Sequence, residues 1–262
     1  MAEGLLAGKT GLVMGVANRR SIAWGIARAL AGAGARLAFS YQGERIEQNV
    51  RELAATLPDA LVLPCDVADD AQIDALFAGV EREFGGLDLL VHAIAFAPTE
   101  ALTGRYLDTG REAFRVALEV SAYSLTAVMQ RAAPLMERRG GGSALTLTYL
   151  GGERVMPNYN VMGVAKAALD MSARYLAADL GPRNIRVNVI SAGPVSTLSS
   201  RAIHGVLEML RHVRETAPLR RDTDLADIAG TALYLCSDLA RGVTGEVIHV
   251  DSGFHVMGLT GG

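Results

Sequence analysis

Two tyrosines and a lysine near the middle of the chain have types and spacing that suit catalysis: Tyr149, Tyr159 and Lys166. Lys166 follows Tyr159 by seven positions, and seven helical steps of about 100° return to within roughly 20° of the starting direction. A phenol can donate a hydrogen bond to an oxygen that gains negative charge, and a nearby ammonium favours that charge. These three residues are therefore our candidate catalytic side chains.

The surrounding residues predict the elements that position them. The segment ALTLTY alternates apolar and hydroxyl side chains and predicts a strand that ends at Tyr149. A loop with two glycines and a proline follows. From about Asn158 to Gly181, apolar residues recur at helical spacing, which predicts a long amphipathic helix. The same spacing also suits Tyr159 as a packed side chain and Lys166 as a surface lysine, so the pair alone leaves both interpretations open.

Length and composition limit the classes of protein. The 262 residues, half of them hydrophobic, are enough for one large domain. A net charge of −3 without a basic cluster argues against nucleic acid as a partner. The N-terminus lacks the pattern of a signal peptide, and no apolar run reaches transmembrane length, so we expect no membrane insertion.

Cysteine and histidine spacing indicates neither a disulfide framework nor a metal site. Cys65 and Cys236 lie far apart and outside any CxxC pattern, which favours a reducing cytoplasm. The five histidines form no HxH or HExxH pattern. We therefore predict no metal.

Strand and helix candidates alternate along the whole chain. The helix candidates begin near Ser21, Glu44, Asp70, Arg111, Asn158 and Asp224. The strand candidates are GLVMGV, ARLAFSY, ALVLPCDV, LDLLVHAIA, ALTLTY, IRVNVISA and EVIHV. Apolar strands in such an alternation predict a parallel sheet covered by helices on both faces. With right-handed crossovers this is an α/β fold, a single doubly wound, Rossmann-type domain over residues 1–262.

The turn after the first strand has features of a phosphate site. Gly15 permits a tight turn, and a helix that starts at Ser21 offers free N–H groups. The GxGxxG fingerprint is absent, since only Gly15 and Gly25 stand where glycines would help. The position of the loop after the first strand nevertheless favours a dinucleotide site.

The ends of the second and third strands are candidates for contact with an adenosine. Gln42 is neither the acid typical of NAD sites nor a base suited to the NADP phosphate, and Arg45 is close, so we favour NADH over NADPH. Asp66, which Val67 follows, either accepts a bond from adenine or caps the helix near Asp70, and capping is the simpler interpretation.

Several segments together resemble the short-chain dehydrogenase/reductase superfamily, and within it the bacterial enoyl-[acyl-carrier-protein] reductases of the divergent, NADH-using type. The resemblance covers nearly the whole chain, through GVANRRSIAWGIA, AFSYQGER, CDVADDAQID, HAIAFAP, SAYSL, LTYLGGERVMPNYNVMGVAKAAL, RVNVISAGPVSTL, TAPLRR and LCSDLARGVTGEVIHVDSGF. An ordinary superfamily member has a tyrosine four residues before the lysine and a serine thirteen residues before that tyrosine. Here Met162 and Tyr149 stand at those positions, and Tyr159 forms a Tyr-x6-Lys pattern instead.

The resemblance implies hydride transfer from NADH to the β-carbon of a trans-2-enoyl thioester in fatty acid biosynthesis. It implies that Tyr159 contacts the thioester oxygen, that Lys166 holds the nicotinamide ribose, that Tyr149 shapes the substrate end, and that Ala97 contacts substrate. The implied cofactor contacts are Gly15, Ser21, Ile22, Gln42, Asp66, Val67, Ile94, Lys166, Val195, Ser196, Thr197, Leu198 and Ser199.

The implied partners are an acyl carrier protein that delivers the substrate and further copies of the chain in a homotetramer. The amphipathic segment 197–212 suits a lid over the acyl chain, with Ile203, Val206, Leu207 and Met209 as candidate channel residues. Five arginines near this entrance suit an acidic carrier: Arg201, Arg211, Arg214, Arg220 and Arg221.

Two other functions stay open. The first is a short-chain ketone or alcohol oxidoreductase, which Met162 disfavours because it replaces the usual tyrosine. The second is a non-catalytic dinucleotide-binding redox sensor. The presence of Tyr149, Tyr159 and Lys166 together argues against a sensor.

Overall fold

Seven parallel strands form one sheet in the computed structural model, which describes residues 4–195 and 206–258. The strand order is β3-β2-β1-β4-β5-β6-β7. The strands are β1 (Thr10–Met14), β2 (Arg36–Tyr41), β3 (Leu61–Pro64), β4 (Leu89–His92), β5 (Gly142–Thr148), β6 (Ile185–Ala192) and β7 (Val247–Val250). Every pairing is parallel, which confirms the predicted sheet.

Helices cover both faces of the sheet. They are α1 (Ile22–Gly32), α2 (Glu44–Ala54), α3 (Asp70–Phe84), α4 (Arg111–Leu118), α5 (Ser124–Glu137), α6 (Asn160–Leu180), α7 (Val206–Thr216) and α8 (Leu225–Cys236). One apolar core joins the sheet to α1, α2 and α8, and a second joins it to α3, α5 and α6. The doubly wound arrangement is therefore confirmed. Among the described helices, none combines the length and apolar composition needed to cross a bilayer.

Most helix starts agree with the predicted positions, and short polar side chains explain where they fall. The Asp224 carboxylate accepts a hydrogen bond from the Asp227 N–H, and the Asp227 carboxylate accepts one from the Asp224 N–H, which closes a capping box before α8. The predicted cap of α3 was wrong. Asp69 caps that helix by accepting from Ala71 N at 2.9 Å, whereas Asp66 accepts from Ala68 N in the preceding turn.

The helix predicted from Arg111 is interrupted. A π-helical turn, Glu119–Tyr123, separates α4 from α5. Such turns are frequent at functional sites because the extra residue re-aims neighbouring side chains. The local sequence shows a continuous helical pattern here, so the interruption was missed.

The strand order places a crevice at the centre of the sheet. β1 lies between β2 and β4, and its last residue, Met14, is aligned with His92 at the end of β4. The connections from these two neighbouring strands leave toward opposite faces of the sheet, so their carboxyl ends open a binding crevice. The fold therefore favours this edge as the functional site.

Candidate active site

A cleft of about 440 Å³ opens at the carboxyl ends of β1, β4, β5 and β6. Nine of the predicted site residues line it: Gly15, Ser21, Ile22, Ile94, Ala97, Tyr149, Tyr159, Lys166 and Val195. Sequence reasoning missed other parts of its wall, including Asn18, Phe96 and Leu102. Residues from four strand ends and three helices, α1, α6 and α7, thus meet in one place.

Gly15 makes the tight turn that the first strand requires. Its φ is +94°, and a Cβ at this position would lie 2.1 Å from the carbonyl oxygen of Ala93. Any larger residue would therefore both strain the backbone and clash with the end of β4. The turn leaves a concave backbone surface beside α1, which suits close approach by a phosphate.

The N-terminus of α1 points its free donors at this surface. Ser21 precedes the helix with an extended backbone, and its hydroxyl donates to Asn18 O at 2.7 Å instead of capping the helix. The N–H groups of the first turn have no carbonyl four residues earlier within the helix. Ser21, Ile22 and Ala23 all line the cleft, so an anion there meets both the free donors and the positive end of the helix dipole.

Gly25, the other glycine of this region, has a packing role. A Cβ there would lie 3.2 Å from the Cβ of Leu225, where α1 crosses α8. The missing GxGxxG pattern is therefore explained locally: one glycine forms the turn and another lets two helices approach.

Three predicted cofactor residues lie outside the cleft. Gln42, Asp66 and Val67 do not line it, although they follow β2 and β3 at the same edge of the sheet. This is the side on which the adenosine half of a dinucleotide lies in such folds. Ser196, Thr197, Leu198 and Ser199 fall outside the described residues, so the predicted roles of all seven stay predictions.

Tyr159 lies at the start of α6 and not within it, contrary to the predicted helix start. The helix begins at Asn160, because Asn158 and Asn160 have φ values of +60° and +37°, a region that asparagine tolerates. The Tyr159 ring meets the Tyr149 ring edge-on, with centroids 5.1 Å apart. Both phenols line the cleft beside Lys166, so the predicted triad is brought together.

Two glycines make room for the Tyr159 ring. A Cβ on Gly151 would lie 2.4 Å from Tyr159 Cδ1. A Cβ on Gly163 would lie 2.6 Å from the Gly151 carbonyl oxygen. The turn after β5 therefore packs directly on the first turns of α6, and this contact fixes the direction of the phenol.

Burial keeps both phenols protonated. Burial, with smaller contributions from Tyr149 and Asp170, raises the pKa of Tyr159 well above its ordinary value. Burial and the carboxylate of Asp251 raise the pKa of Tyr149 to about 12. At neutral pH each hydroxyl is consequently a neutral donor, the state needed to stabilise an oxygen on which negative charge develops.

Lys166 is a buried ammonium in the wall of the cleft. Only 6% of its surface is exposed, and its Nζ donates to Leu147 O at the end of β5 over 2.7 Å. Burial lowers the pKa of Lys166 to about 8, against the attraction of the Asp170 carboxylate. The interpretation of Lys166 as a surface lysine is therefore wrong.

The loop after β4 is held by a contact that the sequence did not reveal. The Ser121 hydroxyl donates to Phe96 O and accepts from Phe96 N, both at 2.9 Å. Ser121 belongs to the π-helical turn. This pair of bonds places Ala97, the predicted substrate contact, in the wall of the cleft.

Helix α7 covers part of the cleft. Met209 lines the cleft, and its Sδ accepts a hydrogen bond from the Tyr149 hydroxyl at 3.0 Å. Leu207 is 77% exposed and does not line it. Residues 197–205 of the predicted lid, including Ile203, and the side chain of Val206 lie outside the described part of the chain.

Comparison with known proteins agrees with this geometry. The family model described as "Enoyl-(Acyl carrier protein) reductase" matches residues 15–255. An enoyl-[acyl-carrier-protein] reductase [NADH] of Bacillus subtilis is 57% identical over 96% of this chain and 97% of its own length. One of Synechocystis is 54% identical over 97% of this chain and 99% of its own.

Solved structures extend the similarity to three dimensions. The Bacillus cereus enoyl-acyl carrier protein reductase, solved with NADP+ and an indole naphthyridinone, has a TM-score of 0.95 at 57% identity and covers 97% of this chain and 99% of its own. The Anaplasma phagocytophilum enzyme, solved with NAD, has a TM-score of 0.95 at 49% identity and covers 99% of this chain and 98% of its own. On the family match, the identities and the shared fold, the chain belongs to the enoyl-(acyl carrier protein) reductase family.

Proposed function

We propose that this protein reduces the carbon–carbon double bond of trans-2-enoyl thioesters on acyl carrier protein, with NADH as the reductant, in fatty acid biosynthesis. The main support is one observation: Tyr159, in a Tyr-x6-Lys pattern, lies in the same cleft as Lys166 and the Gly15 turn. Relatives that carry this activity in their names align with nearly the whole chain.

The cleft fits a dinucleotide on its own geometry. A Cβ on Gly15 would fill the concave turn, and Ser21 and Ile22 offer the N-terminus of α1 to a pyrophosphate. Lys166, Ile94 and Val195 line the same cleft. In this proposal Lys166 would donate to the ribose hydroxyls, and Ile94 and Val195 would contact the nicotinamide. NADH supplies a hydride from its nicotinamide C4 when bound.

The proposed contacts continue beyond the cleft. In this proposal Gln42, Asp66 and Val67 would contact the adenosine, and Ser196, Thr197, Leu198 and Ser199 complete the predicted set. Gln42 is uncharged and exposed, and its side-chain amide can hydrogen-bond ribose hydroxyls. Arg45 lies three residues further on. Competition between NADH and NADPH measures whether Arg45 contributes to the choice of cofactor.

Tyr159 is the group that we propose acts on the reacting thioester. Hydride addition at the β-carbon moves negative charge to the thioester oxygen, and the buried phenol donates a hydrogen bond to that oxygen. This bond strengthens as the charge develops, so it stabilises the transition state more than the ground state. Protonation of the α-carbon then completes the reduction. Tyr149, edge-on to Tyr159, bounds the substrate end, and Ala97 contacts the substrate.

Met162 separates this function from carbonyl reduction. It lines the cleft at the position where an ordinary superfamily member has its tyrosine, and a thioether cannot protonate an alkoxide. The ketone reductase is therefore the weaker proposal.

The test is the oxidation of NADH by crotonyl and longer trans-2-enoyl thioesters, followed at the reduced-nicotinamide absorbance band. We expect turnover in the wild type and a loss of about 10²- to 10³-fold in kcat for Tyr159→Phe. The Kd for NADH, measured by nicotinamide fluorescence, should change little. NADH binding without enoyl turnover in the wild type would instead indicate the redox sensor, and turnover of ketones alone would indicate the carbonyl reductase.

We also propose a homotetramer. Adjacent helices α4 and α6 and the π-helical turn expose apolar side chains: Phe114, Tyr123, Met171 and Tyr175. Val256, in the C-terminal segment, is 64% exposed. Further copies of the chain are the occupants that would cover these surfaces. Sedimentation equilibrium at micromolar concentration should give a mass four times that of the chain, and a monomer mass would remove this proposal.

The carrier protein and the compartment complete the proposal. Of the five arginines, Arg214 and Arg221 are paired with Asp222 and Asp227, and Arg201 is outside the described residues. Arg211, on α7, and Arg220, four residues after the end of that helix, are exposed and are the better candidates for an acidic carrier protein. Cys65 and Cys236 are free thiols, in keeping with a cytoplasmic location.

A further inference from the structure

A buried carboxyl group lies one helical turn after Lys166. Asp170 follows Lys166 by four positions on α6, so the two side chains share a face of the helix. Only 6% of the surface of Asp170 is exposed. Neither the family resemblance nor the residue spacing had singled out this residue.

A second buried polar group faces the same space. Thr148, the last residue of β5, is 4% exposed. Its hydroxyl lies near enough to Asp170 to lower the pKa of that carboxyl. Within the described ranges, however, neither Thr148 Oγ1 nor Asp170 Oδ1 completes a hydrogen bond. Two orphaned polar atoms thus stand beside the lysine of the cleft.

The turn after β5 closes this space from above. A Cβ on Gly152 would lie 3.1 Å from Lys166 Cβ and 3.2 Å from Asp170 Oδ2. The backbone of Gly152 therefore packs against the base of the Lys166 side chain and against the Asp170 carboxyl, and it shields this face of α6 from solvent. An isolated carboxylate is costly to bury, and the opposite charge of a buried ammonium on the same helix face reduces that cost.

We propose that Asp170 is a positioning residue that acts through Lys166: its buried carboxylate, one helical turn along α6, keeps Lys166 in the ammonium form that holds the cofactor ribose. The inference rests on the proposed function, since it assigns Lys166 to the ribose. Asp170 itself touches neither substrate nor cofactor. The proposal therefore adds to the site a residue that maintains the charge on Lys166.

The titratable and charged groups around Asp170 and Lys166 determine the direction in which each pKa shifts. Burial raises the pKa of Asp170 to about 6, the Thr148 hydroxyl and Lys166 lower it, Glu153 raises it and Arg174 lowers it. From β4, His92 faces Lys166 and is neutral, because burial and then the Lys166 charge lower its pKa to about 3. From the cleft, the phenol of Tyr159 is uncharged. Asp170 is the one attraction that raises the pKa of Lys166 among the described groups.

The pKa values of Asp170 and Lys166 define the pH range in which the carboxylate supports the ammonium. Above about pH 6 Asp170 is a carboxylate and supports the ammonium; below that pH both groups are protonated and the support is absent but not needed. Without the carboxylate, Lys166 loses its proton at a lower pH than the wild-type value of about 8. The alkaline loss of NADH affinity should therefore move to lower pH, by about one unit, the scale set by a nearby opposite charge.

The experiment measures the Kd for NADH from pH 5.5 to 9.5 by nicotinamide fluorescence, in wild type, Asp170→Asn and Asp170→Glu. We expect the Asp170→Asn profile to fall about one pH unit earlier, with affinity about fivefold lower near pH 8, the loss that a shift of one unit in the pKa of Lys166 causes at the wild-type midpoint. Below about pH 6 the profiles should converge. Asp170→Glu should restore the wild-type profile.

Two further variants separate this role from general destabilisation. In a Lys166→Arg background the guanidinium does not lose its proton in this range, so adding Asp170→Asn should cause no pH shift. If Asp170→Asn does not fold, Thr148→Val, nearly isosteric, should produce a smaller shift in the same direction. Thermal melts report folding in each case.

The outcomes are distinct. Superimposable profiles for wild type and Asp170→Asn would overturn the proposal, as would an equal loss of affinity at every pH or the same shift in the Lys166→Arg background. Because the readout is NADH binding, the proposal can be tested even if enoyl turnover is absent. In that case the proposed reaction fails and the assignment of Asp170 does not. Failure of the wild type to bind NADH would remove both.

Discussion

Replacement of Gly15 by alanine tests the geometry of the cofactor turn most directly. An alanine at φ +94° is forced into a backbone region that costs about 1–2 kcal/mol. Its Cβ would also lie 2.1 Å from Ala93 O, a backbone atom at the end of a central strand. Relief of such overpacking typically costs a further 1–3 kcal/mol or so.

These costs predict two measurable losses. If the turn keeps its shape, the free energy of unfolding falls by about 2–5 kcal/mol, which lowers Tm by roughly 4–20 °C for a domain of this size. If the turn shifts to relieve the clash, stability recovers but the phosphate surface is lost, and NADH affinity falls at least tenfold. Differential scanning calorimetry and fluorescence titration on the same sample measure both.

Gly230→Ala is the matched control. Gly230 lies in α8, and an added Cβ meets no atom within 4 Å. Alanine there should raise the free energy of unfolding by about 0.5–1 kcal/mol, because it restricts the unfolded chain and favours the helix. NADH affinity should not change. Wild-type Tm together with wild-type NADH affinity in Gly15→Ala would refute our account of the turn.

Two other substitutions test the direction of the Tyr159 ring and the stabilising charge of the buried Asp88 carboxylate. Gly151→Ala places a Cβ 2.4 Å from Tyr159 Cδ1, so we expect kcat with an enoyl thioester to fall about tenfold or more while NADH affinity is retained. An unchanged kcat would mean that Gly151 does not set the direction of the Tyr159 ring. Asp88 is 3% exposed; burial opposes its charge, but the Thr10 N–H, Arg139 and Lys9 outweigh it and lower its pKa. A lowered pKa in the folded state adds stability above the ordinary pKa that is lost as pH falls. Asp88→Asn should therefore lower Tm at pH 7 and flatten the acid-induced decrease below about pH 4, and parallel Tm–pH curves would contradict this.

The sheet could be predicted because its signal is local and repeated. Each strand is a short apolar run buried on both faces, and each helix has apolar positions at its own spacing, so both periods can be read without knowing the partners. The seven strands and the layers of helices follow from that alternation. Element ends were less accurate, as with Tyr159, because they depend on single residues such as Asn158 and Asn160.

The sequence by itself determined the sheet, the turn at Gly15 and the spacing that makes Tyr159 and Lys166 a pair. Only the tertiary structure decided which other groups surround that pair. Ser121 reaches Phe96 across 25 positions, and the end of β5 brings Thr148 beside Asp170 on α6. Such contacts depend on how helices pack on the sheet, and hydrophobic periodicity specifies which face is buried but not which polar group it meets.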